Sequence, residues 1–446
     1  MTPQKLSITQ NRWWRILGVS FVMYVFSFID RTNLAMAIPS MRTELNMSAS
    51  AVGAAAAMFF WGYIILQVPT GRLAGVWSAK KVIFIQLLFW AVVSFTTAFV
   101  HTHDQLWWNR FALGLAEGGV LTCTIVLIRA WFTKGERARA NTVFLLSLAI
   151  APVIANPISG LLLHYSGWRL MFMLEALPGL IWGIVWLWAI ADRPSQAAWL
   201  PGAERNRIEA ELAAEAAAVK PNEGHWLAVL WSAPVIFLAL YNFCALAAEW
   251  GVNFWLPSVV KETGAGIVTV GILSALPYAA GAMMMLLVAR SSDRRQERKY
   301  HMIAATCASG VFLFCAQFAT EWGPYATVFF LVLSVGSFLG RFGPFWTLPS
   351  EVLPPAVAGV GIGLINGAGN LGGTIGPWFF GFMRDHTGNF HAALTIGGLS
   401  MIAAALIAIP IRSSAHPSET NNSLSPAVDE SDRPNLGHDE VPQHSA

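Results

Sequence analysis

Twelve stretches of this chain are long and apolar enough to cross a lipid bilayer, and that constrains what it can fold into more than any other feature. A helix needs ~20 apolar residues to span the hydrocarbon, where its backbone groups must be satisfied within the helix. Reading apolar windows against charged breaks predicts spans over 15–38, 50–71, 80–100, 105–129, 138–163, 170–190, 234–259, 267–288, 301–319, 325–348, 357–382 and 391–411. Only 12% of residues are charged, against about 25% in a soluble globular chain. The expectation is an all-α integral membrane protein with twelve transmembrane helices, whose surroundings are the lipid bilayer. The first apolar stretch is too long for a cleavable signal and contains Asp30 and Arg31.

The connections give direction. Lys and Arg crowd the connections on the side of the two termini, while the opposite loops hold only Arg42, Arg169, Lys261 and Arg384. By the positive-inside rule both termini are cytoplasmic. The predicted organisation is a cytoplasmic N-terminus over 1–14, a six-helix bundle over 15–190, a cytoplasmic linker over 191–233, a second six-helix bundle over 234–411 and a disordered tail over 412–446. Within the linker, Glu204 to Glu215 reads as a polar surface helix, and Thr133-Lys134-Gly135-Glu136 reads as a capping box opening span five. Two halves of six predict pseudo-repeats around a midplane site, as in transporters.

Some chemistry is excluded. A net charge of +3, with no basic run interleaved with aromatics, gives no reason to expect nucleic acid. Cys123, Cys244, Cys307 and Cys315 lie inside apolar segments without C-x-x-C spacing, so they read as small buried hydrophobes. The histidines sit in loops or at span ends, and no metal, cofactor or catalytic constellation is expected.

Four charges inside spans carry the functional reading: Asp30 and Arg31 in span one, Arg110 and Glu117 in span four. A charge near the bilayer centre costs ~2.5–3.5 kcal/mol on insertion scales, so such residues face a polar interior and mark an ion or substrate path. At 1.5 Å per residue, Asp30 lies about 12 Å, Arg110 about 7 Å and Glu117 about 18 Å from the outer ends of their spans. Asp30, Arg31 and Arg110 therefore group as an outer cluster, with Glu117 alone near the midplane. A lone buried carboxyl carries protons, and a carboxylate beside an arginine stays ionised. An arginine released from its acid offers a fork of donors to an anion. Asp30 and Glu117 are thus the proton-coupling candidates, and Arg31 and Arg110 the anion-binding ones. The plain alternative is a static ion-pair network that fixes helix packing.

Further candidates are weaker. Asn33 shares a face with Asp30, and Asn253 shares one with Glu249 in span seven. Asn366 and Asn370 are four apart on the glycine-rich span eleven, where interhelical bonding competes with substrate contact. Tyr24, Trp255 and Trp346 are candidates for an apolar wall. Arg341 suits gating or interhelical bonding as well as substrate contact, and Glu175 suits a structural bond to a loop.

At these residues the chain resembles the major facilitator superfamily, and more closely its anion:cation symporter family. The resemblance covers nearly all of residues 12–412. It rests on Asp30-Arg31-Thr32-Asn33, on Arg110 to Glu117, on Trp168 to Phe172 followed by Glu175 and Pro178, and on Asp192-Arg193-Pro194 with Trp199-Leu200. Trp255-Leu256-Pro257, Pro344-Phe345-Trp346 and Asn366 to Gly373 extend it through the second half. It implies a monomeric, proton-driven importer of small organic anions in a bacterial inner membrane. Sugar acids such as hexonates and aldarates, aromatic acids and dicarboxylates are the substrate classes it implies. It also implies that Asp30 and Glu117 take part in proton coupling. An exchanger or drug exporter of the same fold, a membrane-embedded enzyme and a nutrient sensor are the alternatives. One departure stands out: the superfamily's loop between spans two and three usually carries an Asp where this chain has Gly75, which puts that acid's inner gating contact in doubt.

Overall fold

A computed structural model of the chain describes residues 11–217, 231–353 and 358–411. Every regular element among the described residues is helical, and the helices make twelve crossings. Span one is Val19–Glu44, entered through a π-helical turn at Trp13–Gly18, span two Ala49–Leu73 and span three Ala79–Thr96. Span four is built from His103–Glu117 and Val120–Trp131. Spans five and six run through Lys134–Leu145 and Ser147–Ala189 and divide at Gly167, whose φ of 72° only glycine adopts freely. In the second half, spans seven to nine are Ala233–Glu262, Ile267–Arg295 and Lys299–Ala319. Span ten is Pro324–Gly340 with Phe342–Val352, span eleven Ala358–Thr387 and span twelve His391–Ile407.

Several helices outrun the predicted windows: span one continues to Glu44 and span eight to Arg295. The windows stop where charge begins, but a helix continues into the aqueous layer, where charged side chains are cheap. The capping box at the start of span five forms as expected, with Thr133 and Glu136 each satisfying the other's backbone. The polar linker helix is Gly202–Ala217. It is pinned to the first half: Glu204 meets Arg12 at 3.3 Å, and Glu215 meets Arg137 at 2.9 Å and the Lys134 amide at 2.6 Å. The predicted tail over 412–446 and part of the linker, 218–230, lie outside the described residues.

The loop that lacks its usual acid obtains one from elsewhere. Ala74–Ser78 is a π-helical turn, and a Cβ on Gly75 would meet open space. Asp192, at the end of span six, accepts from Ser78 Oγ at 2.6 Å and from the Lys80 amide at 2.8 Å, capping span three. Both groups belong to the first half, so this acid braces that half internally.

The two halves pack most closely toward the end of the bundle opposite the termini, called distal here, and also touch nearer the proximal end, where Asn370 of span eleven bonds Gln67 of span two. One buried apolar cluster joins the distal parts of spans one, two and six to the second half, while the proximal interior of the first half packs as a separate cluster. Backbone touches backbone across the halves. A Cβ on Gly53 of span two would fall 2.4 Å from the Pro377 carbonyl, and one on Gly271 of span eight 2.5 Å from the Asn156 carbonyl. Small residues permit such approach where lipid provides no hydrophobic drive between helices. Asp385 of span eleven then caps span two, accepting from the Ala49 and Ser50 amides at 2.8 and 2.7 Å, with Arg42 3.7 Å away.

Partial burial pushes the Asp385 carboxyl up, but the Ser50 and Ala49 amides and Arg42 more than offset this, so its pKa lies below the usual aspartate value. A group depressed in the closed form stabilises that form above its ordinary pKa, and the contribution disappears as pH falls through the lowered value. We expect Asp385→Asn to loosen distal closure by about 1 kcal/mol, the scale of a lost helix cap. The check is modification of a cysteine at Asn253 by a thiol reagent added from the distal side, which should speed up several-fold in the variant.

Candidate functional site

Asp30 and Arg31 are neighbours on span one, yet their side chains go to different places. Arg31 Nε donates to Glu117 Oε2 at 2.7 Å, and Ser27 Oγ donates to the same oxygen at 3.0 Å. Glu117 is fully buried, and its Oε1 has no partner. The expected outer cluster with a solitary Glu117 is therefore corrected. Helical side chains lean toward their own N-terminus. Span one begins at the proximal end and span four at the distal end, so Arg31 leans down as Glu117 leans up, and they meet. Backbone depth alone placed them apart.

The Arg31 guanidinium lies among four aromatic rings, with Tyr63, Phe59, Phe28 and Tyr24 centroids at 5.0, 5.2, 5.6 and 5.9 Å. Its Nη2 is buried without a hydrogen-bond partner. Arg110 lies near Asp30 as expected, but it binds the backbone: Nη1 donates to the Asp30 carbonyl at 3.2 Å and Nη2 to Thr97 Oγ1 at 3.5 Å. The Asp30 carboxylate is held instead by a short bond from Ser94 Oγ and by Asn33 Nδ2 at 3.2 Å. Ser94 and Thr97 escaped the sequence reading. Their signal was available: two hydroxyls three residues apart, hence on one face, within an apolar span.

Asp30, Arg31 and Arg110 line a narrow central cavity of about 40 Å³. The first half contributes the charges together with Phe28, Phe59 and Phe60, and the second half contributes Trp250, Asn253, Phe254 and Tyr278. Asn253 accepts from the Tyr278 hydroxyl at 3.0 Å. Glu249, one turn before Asn253, is buried beside it, and neither carboxylate oxygen has a partner in hydrogen-bond geometry. The aromatic wall was expected from other residues. Trp255 donates to the Pro377 carbonyl at 2.8 Å and packs on Phe390, so it fastens span seven to span eleven. Trp346 packs on Phe345, and Tyr24 lies against Phe144 inside the first half. None of these three lines the central cavity. The aromatics that do, Phe28, Phe59, Phe60, Trp250, Phe254 and Tyr278, have the same apolar surroundings in sequence as those that do not.

The asparagines divide as well. Asn33 is fully buried behind Asp30. Asn370 donates to Gln67 of span two at 3.1 Å, the interhelical reading. Asn366 is half-buried and does not line the central cavity. Arg341 sits at the break of span ten among Tyr241, Phe338, Phe342 and Phe345, donating to Asn242 Oδ1 at 3.3 Å. Glu175 does not reach a loop. Its Oε1 accepts from Ser159 of span five at 2.6 Å, and it faces Asn33.

The arrangement places an arginine that can grip an anion against a carboxylate that can bind a proton, beside a cavity between the halves. Breaking a buried ion pair by removing one partner costs about 3–5 kcal/mol, because the other charge is stranded. We therefore expect Arg31→Gln to lower unfolding stability by that order and Arg31→Gln with Glu117→Gln to recover a large part of it. Chemical denaturation in detergent micelles checks this double-mutant cycle, and additive effects would exclude the pairing.

The family model described as Major Facilitator Superfamily matches residues 20–377. A putative tartrate transporter from Agrobacterium vitis is 33% identical over 414 residues, covering 91% of this chain and 92% of the relative. A quinolone resistance transporter from Acinetobacter baumannii is 30% identical, covering 87% of this chain and 91% of its own length. Among solved structures, the xylose transporter XylE from E. coli in an inward open conformation superposes with a TM-score of 0.75 at 16% identity, covering 91% of this chain and 98% of the other. That last likeness concerns the fold.

Proposed function

This chain belongs to the major facilitator superfamily and is a multi-pass membrane transporter rather than an enzyme, and we propose that it imports a small organic anion together with protons. The substrate we propose is a hydroxylated carboxylate, a sugar acid such as a hexonate or aldarate. The membrane is the bacterial inner membrane and both termini are cytoplasmic. On that orientation the sealed distal end faces outward, and the cavity is reached from the cytoplasm.

The observation that carries the reading is the Arg31–Glu117 pair at the wall of a cavity shared by both halves. Protonating Glu117 removes the anion that holds Arg31. The freed guanidinium, with Arg110 beside it, then presents charge-assisted donors to a substrate carboxylate. Proton and anion favour each other's binding because each satisfies what the other leaves unpaired, and linkage makes the effect reciprocal. Asp30, held by Ser94 and Asn33 next to Arg110, is the second proton-binding group. Asn253, Tyr278 and Glu249 offer hydrogen bonds from the second half to substrate hydroxyls, and Asn366 and Asn370 join them as span eleven moves.

Alternating access follows from opening the distal contacts and closing the proximal ones around the loaded cavity. The relative named for tartrate supports the substrate class, since tartrate is itself a hydroxylated dicarboxylate. The relative named for quinolone resistance favours a second reading, export of a flat aromatic molecule against Phe28, Phe59, Phe60 and Trp250.

The decisive experiment uses vesicles with an imposed pH gradient and labelled sugar acids. Wild-type protein should accumulate substrate, and Glu117→Gln should abolish accumulation while retaining counterflow exchange. Accumulation surviving in Glu117→Gln removes the coupling assignment. Thermal-shift screening adds a separate check, because a ligand that binds the folded form stabilises it in proportion to RT ln(1 + [L]/Kd). Stabilisation by sugar acids and dicarboxylates is expected, and stabilisation by quinolones alone would favour the exporter.

A further inference from the structure

The first half holds one more acid in its interior than its arginines account for: Glu175 is half-buried as a residue, but its Oε2 is fully buried. Arg31 is committed to Glu117. Arg110 remains for Asp30, yet Asp30 has a second carboxyl for company, Glu175 of span six, close enough for the two to interact electrostatically. Asn33 stands between them: its Nδ2 donates to Asp30 Oδ1, it faces Glu175, and its own Oδ1 lacks a partner. Ser159 holds one Glu175 oxygen, and the other is buried without a hydrogen bond. Among the described residues, Glu175 forms no ion pair.

The groups facing this pair can be set out element by element. From span one come Asn33 and Asp30 itself, from span three Ser94, from span four Arg110 and Glu117, from span five Ser159 and from span six Glu175. With the Glu117 charge met by Arg31, one cation faces two carboxyls. Two negative charges and one positive charge in low dielectric are costly, and like charges side by side cannot both ionise cheaply. One bound proton restores neutrality.

We infer that Glu175 is a positioning residue for the transported proton: across Asn33 it pairs with Asp30, and the two carboxyls hold one proton between them. The inference rests on the proton-coupled reading above. The step is a simple acid–base exchange. A proton from water forms an O–H bond on one carboxylate of the pair. When the proton departs on the other side of the membrane, that O–H bond breaks and the proton returns to water. Glu175 acts through Asp30, raising the hold of the pair on its proton without touching the substrate.

Glu175→Gln tests this, since glutamine keeps an oxygen for Ser159 but brings no charge. Asp30 then takes up its proton only in more acidic solution. The pH profile of gradient-driven uptake should move toward acid by about one pH unit, the order of effect of a neighbouring like charge. Counterflow exchange at the acid end of the profile should match wild type. An unshifted profile overturns the inference, and so does lost thermal stability with an unshifted profile, which marks a packing role. If Glu175→Gln does not fold, Ser159→Ala provides the second variant. It strips the ionised Glu175 of its donor, which tightens the pair's hold on its proton, so the profile should shift the opposite way, toward alkaline pH, by less. An unshifted profile there also overturns the inference. Wild-type uptake that ignores a pH gradient defeats the proton-coupled reading and this one with it. Gradient-driven wild-type uptake with unshifted variants defeats this one alone.

Discussion

Everything at the centre of this protein follows from what hydrocarbon does to charge. Arg31 and Glu117 cannot be left unpaired there without a penalty of several kcal/mol, so each commits the other. That commitment fixes the mutual height of spans one and four. It leaves Arg110 to bridge the backbone of Asp30, and it gives Asp30 to the hydroxyl of Ser94 and the amide of Asn33. The cavity wall is the remainder of this arrangement. An ion pair of this kind is a poor source of net stability, because hydrophobic replacements of similar volume often do as well. On the proposed function, its value lies in having two states, paired and exchanged, whose balance a proton and an anion would both tip.

The joint between the halves obeys a different economy. Lipid is as apolar as a leucine, so helices gain little by hiding apolar surface from it, and close backbone contact with a few directional bonds must hold them together. Gly53 against Pro377 and Gly271 against Asn156 provide the contact, and Asp385 at the head of span two provides the bond. These fastenings are distal. Within the first half, Asp192 and the helix Gly202–Ala217 brace the proximal end from inside.

Twelve crossings and two six-span halves were legible in the sequence because apolar run length and charge asymmetry are imposed on every residue that meets lipid. Asp30, Arg31, Arg110 and Glu117 were legible too, since a charge in such a run is its own flag. Their partnerships were not. Rise per residue locates backbones, but Arg31 spans several ångströms along its helix, and its lean decides which acid it reaches. Ser94 and Ser27 hold the acids, Thr97 accepts from Arg110, and all three went unread because hydroxyls cost little in a span and occur there for many reasons. The aromatic residues failed differently. Trp255, Trp346 and Tyr24 pack elsewhere while Trp250, Phe59 and Phe60 face the cavity, and only the assembled helices set that facing. Asp192, far away in sequence from the loop that lacks an acid at Gly75, caps the neighbouring span three, a contact that loop sequence alone does not announce.

The four rings around Arg31 have a consequence for speed. If a guanidinium leaving Glu117 entered bare hydrocarbon, separation of the pair would face a steep electrostatic climb. Tyr24, Phe28, Phe59 and Tyr63 each place a ring centroid within about 6 Å of it, and the electron-rich faces of such rings attract a cation. They form a cushion, a diffuse and uncharged stand-in for an anion beside the guanidinium. Such a cushion flattens the path between the two partners without favouring either, which suits a carrier that must load and unload its cargo in every cycle.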